Sequence, residues 1–163
     1  SLRYHGRIGP QDKNNNIRLG INGRMDTLQA AIVLAKLEIF EDEMKKRQIV
    51  AENYEQLLKN TAVTPPKSPV HGVSTWAQYT VLLPAGSDRQ KVMQNLKEAG
   101  IPTAINYPLS LHRQKAFSYL NYSHNVFPVV EDITARVLSL PMHPYLDKQT
   151  QEKIVDQLIN SQG

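Results

Sequence analysis

The chain has 163 residues, 40% of them hydrophobic and 21% charged, with a formal net charge of +4. That is enough apolar material to bury a core, and too little charge for a disordered chain or a strongly basic nucleic-acid binder. It holds no cysteine and no run of about 18 apolar residues, which excludes disulfides, thiolate metal centres and a membrane-crossing helix, and fits a reducing cytoplasm.

The first residues, "SLRYHGRIGP", are neither a signal peptide nor a presequence. They begin in mid-pattern without a starting Met, so the chain reads as a piece of a larger polypeptide. Between Ser1 and Arg24, the basic residues Arg3, Arg7, Lys13, Arg18 and Arg24 face a single acid, Asp12. Such a local excess suits the phosphate or carboxylate of a small ligand, or simply a solvated basic loop.

A long helix follows. Asp26 is placed to cap it, with Gln29 at the reaching-back position of a capping box. Leu28, Ile32, Ala35 and Ile39 recur at helical steps, and Ile49, Tyr54 and Leu57 continue an apolar face. No Pro or Gly interrupts Met25 to Ala62, so a helix of about 30 residues and about 45 Å is expected, either a connecting rod or a helix packed on a partner.

"TPPKSPVHG" (64–72) reads as a linker, and "STWAQYTVLL" (74–83) as a strand. "SDRQKVMQNLKEAG" (87–100) reads as a helix with a Ser87–Gln90 capping box, Val92, Leu96 and Ala99 facing inward, and Gly100 as its stop. "IPTAINYP" (101–108) reads as a short strand, and "HRQKAFSYL" as one or two helical turns. "PVVEDITARVL" reads as a helix opened by Pro128, "SLPMHP" (139–144) as a short strand or extended segment, and "DKQTQEKIVDQLIN" as a helix capped by Asp147. The expected fold is therefore α+β: a loop over 1–24, a connecting helix over 25–62, and a small two-layer domain over 63–163 with three short strands and helices on one face.

The five histidines show no metal-ligand spacing, and there is no Gly-rich phosphate loop or nucleophile elbow. Glu41, Asp42 and Glu43 are neighbours on a helix that point in different directions, as on a solvated face. Asn22 and Arg24 stand just ahead of a helix N-terminus, where free N–H groups and the dipole favour an anion; a plain helix entrance with a surface Arg is the alternative. Asn106 and Tyr107 lie at a strand end before Pro108, a common place for ligand contacts, with a half-buried turn as the alternative. Trp76, Gln78 and Tyr79 read as core packing first and site second, and His143 as a residue that could orient a loop through one ring nitrogen, with an unrelated loop histidine as the alternative.

"NGRMDTLQAAI", the charged helix "LAKLEIFEDEMKKRQIVAENY", "AQYTV", "AGIPTAINYPLSLH" and "SLPMHPYL" together resemble the C-terminal part of nucleotide-sugar aminotransferases dependent on pyridoxal 5'-phosphate (PLP). The wording looks most like the subgroup that aminates C3 of a UDP-linked 3-keto-N-acetylglucosaminuronic acid in lipopolysaccharide O-antigen synthesis. The resemblance implies the aspartate-aminotransferase fold, a homodimer with shared active sites, glutamate as amino donor, and neither nucleic acid nor membrane as partner. It implies that Asn22 contacts the cofactor phosphate and that Arg24 faces the cofactor or the sugar's carboxylate across the dimer. Asn106 and Tyr107 would lie near the substrate. Related sequences often carry His where this chain has Asn106; an Asn cannot shuttle protons but can donate a hydrogen bond to sugar or phosphate. The lysine that forms the Schiff base belongs to an upstream context that none of the lysines here matches, so the chain alone is expected to be inactive. The rival expectations are a stand-alone helical dimerisation module, a sugar dehydratase relative, and a nucleic-acid binder using residues 1–24.

Overall fold

A computed structural model describes residues 19–21, 23, 25–122 and 127–162. The elements run α1 (Thr27–Leu58), β1 (Tyr79–Leu82), α2 (Arg89–Glu98), two short 3-10 segments (Leu111–Arg113 and Lys115–Leu120), α3 (Pro128–Arg136), β2 (Val137–Leu140) and α4 (Lys148–Asn160). By internal packing the chain divides into residues 1–41 and 42–163.

In the first unit, Asp26 caps α1 as expected: its Oδ1 accepts from the N–H groups of Leu28 at 2.9 Å and Gln29 at 3.3 Å. The expected apolar stripe is not buried. Leu28, Ile32, Leu34, Leu37 and Phe40 are all exposed, and they point to several sides of the helix rather than to one.

The second unit holds the core. Val50, Ala51, Tyr54 and Leu58 of α1 pack with Val63, Trp76, Tyr79, Val81 and Leu83, with Val92 and Leu96 of α2, with Leu138 and Leu140 of β2, and with Ile154, Val155 and Leu158 of α4. Ile49, expected on this face, is exposed, and the buried positions fall at Val50 and Ala51 instead. The Tyr54 ring stacks on Tyr79 at 4.9 Å, and the Tyr54 hydroxyl donates to the Pro141 carbonyl at 2.9 Å. Burial pushes both tyrosine hydroxyls far above the ordinary phenol range, and the Tyr79 hydroxyl has no hydrogen-bond partner among the described residues. Gln151 on α4 is fully buried, and its amide joins two helices: Nε2 donates to the Val50 carbonyl at 2.8 Å, and Oε1 accepts from Asn53 at 3.3 Å.

Trp76 takes a left-handed backbone, φ +47°. Two neighbours on α1 hold it there: Arg47 Nη1 donates to its carbonyl at 3.0 Å, and its indole N–H donates to Gln48 Oε1 at 2.9 Å. This bend delays the strand expected from Ser74, and β1 starts only at Tyr79.

β1 and β2 form a two-stranded antiparallel sheet, Tyr79 opposite Leu140 and Leu82 opposite Val137. Single antiparallel bridges extend it on both sides, Thr64 to Leu82 and Ala104 to Ser139. The expected strand over 101–108 is thus one bridge, because Pro102 lacks an N–H and Pro108 ends the extended run. The strand expected over 139–144 lies two residues earlier, since Pro141 cannot continue the ladder.

The helix ends follow their local chemistry. Asp88, not Ser87, caps α2, accepting from Lys91 N–H at 3.0 Å, and Gly100 ends it at φ +75°. Pro128 opens α3. Asp147 caps α4, accepting from Thr150 N–H at 2.9 Å and from its hydroxyl at 2.7 Å; these bonds hold its carboxyl below the usual range.

Candidate functional site

The site grows from strand alternation. Leu138 and Leu140 turn into the core, so Ser139 between them points to the opposite face, as Thr80 does between Tyr79 and Val81. Ser139 pairs with Thr80 on one side and exchanges two backbone hydrogen bonds with Ala104 on the other, at 2.9 and 3.2 Å. That bridge places Asn106, two residues further on, over the same face.

A polar network results. The Asn106 amide nitrogen donates to Gln78 Oε1 at 2.8 Å and to Ser139 Oγ at 2.9 Å, and Ser139 Oγ meets Thr80 Oγ1 at 2.8 Å. Ser139 is 7% exposed, while Gln78 and Asn106 sit at the surface. Beside them lies a cleft of about 310 Å³ in which Gln78, Thr80, Asn106, Tyr107, Thr134 and Ser139 share the lining with apolar Ala104, Ile105, Ile133, Val137 and Leu138. A second hollow of about 280 Å³ shares Gln78, Asn106 and Ser139. A wider one of about 590 Å³ beside α2 is lined by Met93, Ile101, Pro102 and Ile105 together with Gln90, Gln94, Lys97 and Thr103.

Tyr107 projects with 80% of its surface exposed and no hydrogen-bond partner among the described residues. The expectation of a half-buried turn residue does not hold; the ring is available for contact. Asn106, expected to donate outward, already spends both amide hydrogens within the protein. Asn22 and Arg24, the other two expected site residues, lie outside the described residues.

The loop that carries Asn106 and Tyr107 is fastened at its far end too. His112 Nε2 lies 2.7 Å from Glu131 Oε1 on α3, with the His112 ring 4.8 Å from Phe127. α3 is itself tied down: Arg89 Nη1 donates to the Thr134 carbonyl at 2.6 Å, and Arg136, paired with Asp132, donates to the Leu83 carbonyl at 2.7 Å. The Arg136 hydrogen bond holds the Asp132 carboxyl below the usual carboxylate range. His112 therefore has a structural partner that its place in the sequence did not reveal. His143 behaves as expected: its Nδ1 accepts from Tyr145 N–H at 3.2 Å and orients that turn. Among the described residues no three His, Asp or Glu side chains gather as a metal site.

Ser139 and Thr80 are the site residues that sequence reading missed. The available signal was the triplet Leu138-Ser139-Leu140, one hydroxyl between two core residues, which marks the outward face of a strand. The chemistry of the cluster is neutral. It offers amide and hydroxyl groups and no cation, a donor set that suits the hydroxyl or acetamido groups of a sugar.

The model of the DegT/DnrJ/EryC1/StrS aminotransferase family matches residues 1–159. UDP-2-acetamido-2-deoxy-3-oxo-D-glucuronate aminotransferase of Pseudomonas aeruginosa is 42% identical over 98% of this chain and 43% of its own length. UDP-N-acetyl-3-dehydro-alpha-D-glucosamine 3-aminotransferase of Acidithiobacillus ferrooxidans is 34% identical over 91% of this chain and 38% of its own. A crystal structure of a DegT DnrJ EryC1 StrS aminotransferase from Brucella abortus superposes on the whole chain with TM-score 0.85 and 40% identity, over 42% of that protein. The chain thus spans about two fifths of the length of the relatives it matches.

Proposed function

The chain belongs to the DegT/DnrJ/EryC1/StrS aminotransferase family, and from that premise we propose that it is the C-terminal portion of a cytoplasmic UDP-sugar aminotransferase. The intact enzyme transfers an amino group from glutamate to C3 of a UDP-linked 3-keto-N-acetylglucosaminuronic acid, a precursor of lipopolysaccharide O-antigen. The observation that carries this reading is the 42% identity, over nearly the whole chain, to a relative named for that keto sugar. The neutral amide and hydroxyl cluster around Asn106, set in a largely apolar cleft, supports it, since such a set suits an N-acetylated sugar.

The family's cofactor is pyridoxal 5'-phosphate. When bound, it supplies the electron sink that lets an amino group move between two carbonyl compounds. The described residues of the cleft do not fit it: they include no lysine to anchor it and no cation for its phosphate. The cleft is read here as a substrate wall. Asn106 and Tyr107 bind and orient the sugar, and the rest of the polypeptide holds the cofactor. Asn22 and Arg24 are proposed to reach the cofactor phosphate and the sugar's carboxylate in a second subunit. The exposed apolar residues of α1 from Leu28 to Phe40 support a homodimer, because a helix apolar on several sides is stable in water only when covered.

The test uses the full-length gene product. Purified with PLP, it is expected to lose its visible cofactor absorbance on addition of glutamate and to regain it with the UDP-linked 3-keto sugar. Spectral return with other keto acids but not with the keto sugar would refute the substrate assignment. Arg24→Ala is expected to raise the KM for the sugar.

A further inference from the structure

We propose that Ser139 is a positioning residue which, with Gln78, sets the polarity of recognition at Asn106, so that the substrate group met there is a hydrogen-bond donor, a sugar hydroxyl or an amide N–H. The inference rests on the sugar aminotransferase reading above and narrows it to one contact.

It starts from a count of hydrogens. A primary carboxamide has two N–H donors and one carbonyl oxygen with two lone pairs. Asn106 commits both hydrogens, one to Gln78 Oε1 at 2.8 Å and one to Ser139 Oγ at 2.9 Å. Among the described residues nothing donates to its Oδ1, so the group left for a ligand is an acceptor. A carboxylate or phosphate oxygen brought to that atom would meet lone pair against lone pair, with no cation in the cleft lining to compensate. A hydroxyl or acetamido N–H meets it favourably.

The orientation is only as firm as its anchors. Gln78 is exposed and Ser139 is not. Ser139 is held by strand pairing to Thr80 and Ala104 on its two sides, and its hydroxyl is engaged again by Thr80 Oγ1 at 2.8 Å. A buried hydroxyl whose backbone and side chain are both fixed cannot follow a rotating amide. Ser139 therefore holds the Asn106 amide in one orientation without touching the substrate itself.

The test is steady-state kinetics of the full-length, PLP-loaded enzyme with the UDP-linked 3-keto sugar. Ser139→Ala is expected to raise KM about fivefold, the loss of one neutral hydrogen bond, with kcat changed less than about twofold. Ser139→Thr, which keeps the hydroxyl on a β-compatible side chain, is expected to return KM to within about twofold of wild type. A lowered melting temperature with wild-type KM in Ser139→Ala would mean a merely structural role and overturn the proposal. Asn106 is exposed, so its variants are expected to fold. Asn106→Leu is expected to raise KM at least about tenfold, and Asn106→Asp, which keeps an acceptor but gives up both anchoring N–H donors, about fivefold. If Asp costs as much as Leu, the substrate uses the amide hydrogens and the assigned polarity is wrong while the functional reading stands. If Leu costs nothing, Asn106 is no part of the sugar site, and both fail. A wild-type enzyme that does not aminate the keto sugar overturns the functional reading, and this inference with it.

Discussion

The two halves of α1 are built from similar residues and meet opposite fates. From Val50 to Leu58, four side chains are sealed in the core; from Leu28 to Phe40, residues of equal hydrophobicity stand in solvent. Intrinsic helix propensity cannot make that difference, since neither half contains Gly or Pro. What differs is what each half packs against. The second half meets two strands and two helices of this chain, while the apolar side chains of the first half are exposed. Periodicity thus reports that a surface is to be buried and not where its cover comes from.

The comparison breaks most sharply at Tyr54. Tyr54→Ala removes a stacked ring and a hydrogen bond from the centre of the core and is expected to cost about 4 kcal/mol, read as a fall in the urea midpoint of this chain. Its neighbour Tyr79 behaves in the opposite sense. Its hydroxyl is buried without a partner, so Tyr79→Phe is expected to stabilise by up to about 1 kcal/mol in the same titration. A loss instead would reveal a bridging water or another acceptor for the hydroxyl.

A smaller effect concerns pH. The Asp147 and Asp132 carboxyls are held below their ordinary value, Asp147 by hydrogen bonds from Thr150 and Asp132 by the hydrogen bond from Arg136. Groups so depressed contribute stability that is complete above the ordinary aspartate value of about 4 and is lost as pH falls through their folded values. Melting temperatures followed downward from pH 5 should therefore decline. Asp147→Asn, which keeps a capping oxygen but cannot titrate, should make that decline shallower.

The smallest effect sharpens the contrast. Ile32→Ala with Leu37→Ala should change the stability of this chain by no more than about 0.5 kcal/mol, because both side chains are already exposed. In the full-length protein the same pair should lower the melting temperature and weaken dimerisation by sedimentation. An equal, small effect in both would leave the first half of α1 without a cover.

Much of the chain was legible in order. Asp26 and Asp147 announced their helices, Pro128 opened α3 and Gly100 closed α2, because capping and positive φ are properties of one or two residues and need no distant partner. The family resemblance was legible for the same reason: motifs are read in sequence, and residues 1–159 match the family. Asn106 and Tyr107 could be singled out from their place before Pro108.

Strand limits and site chemistry were not legible, because they depend on partners far apart in the chain. Trp76 bends against Arg47 and Gln48, 29 and 28 residues away, and so shortens β1. The 101–108 segment pairs at a single residue because two prolines deny it a ladder. Ser139 became a site residue only when β2 set it between Thr80 and Ala104, within 2.9 Å of an amide 33 residues away. The sequence by itself determined which segments are helical, how most of them begin and which family the chain belongs to, since local dihedral preference and side-chain pattern suffice for that. Only the tertiary structure decided which apolar face was covered and which end of the Asn106 amide found partners within the protein, because burial and hydrogen-bond partnership arise between residues that only the fold brings within reach.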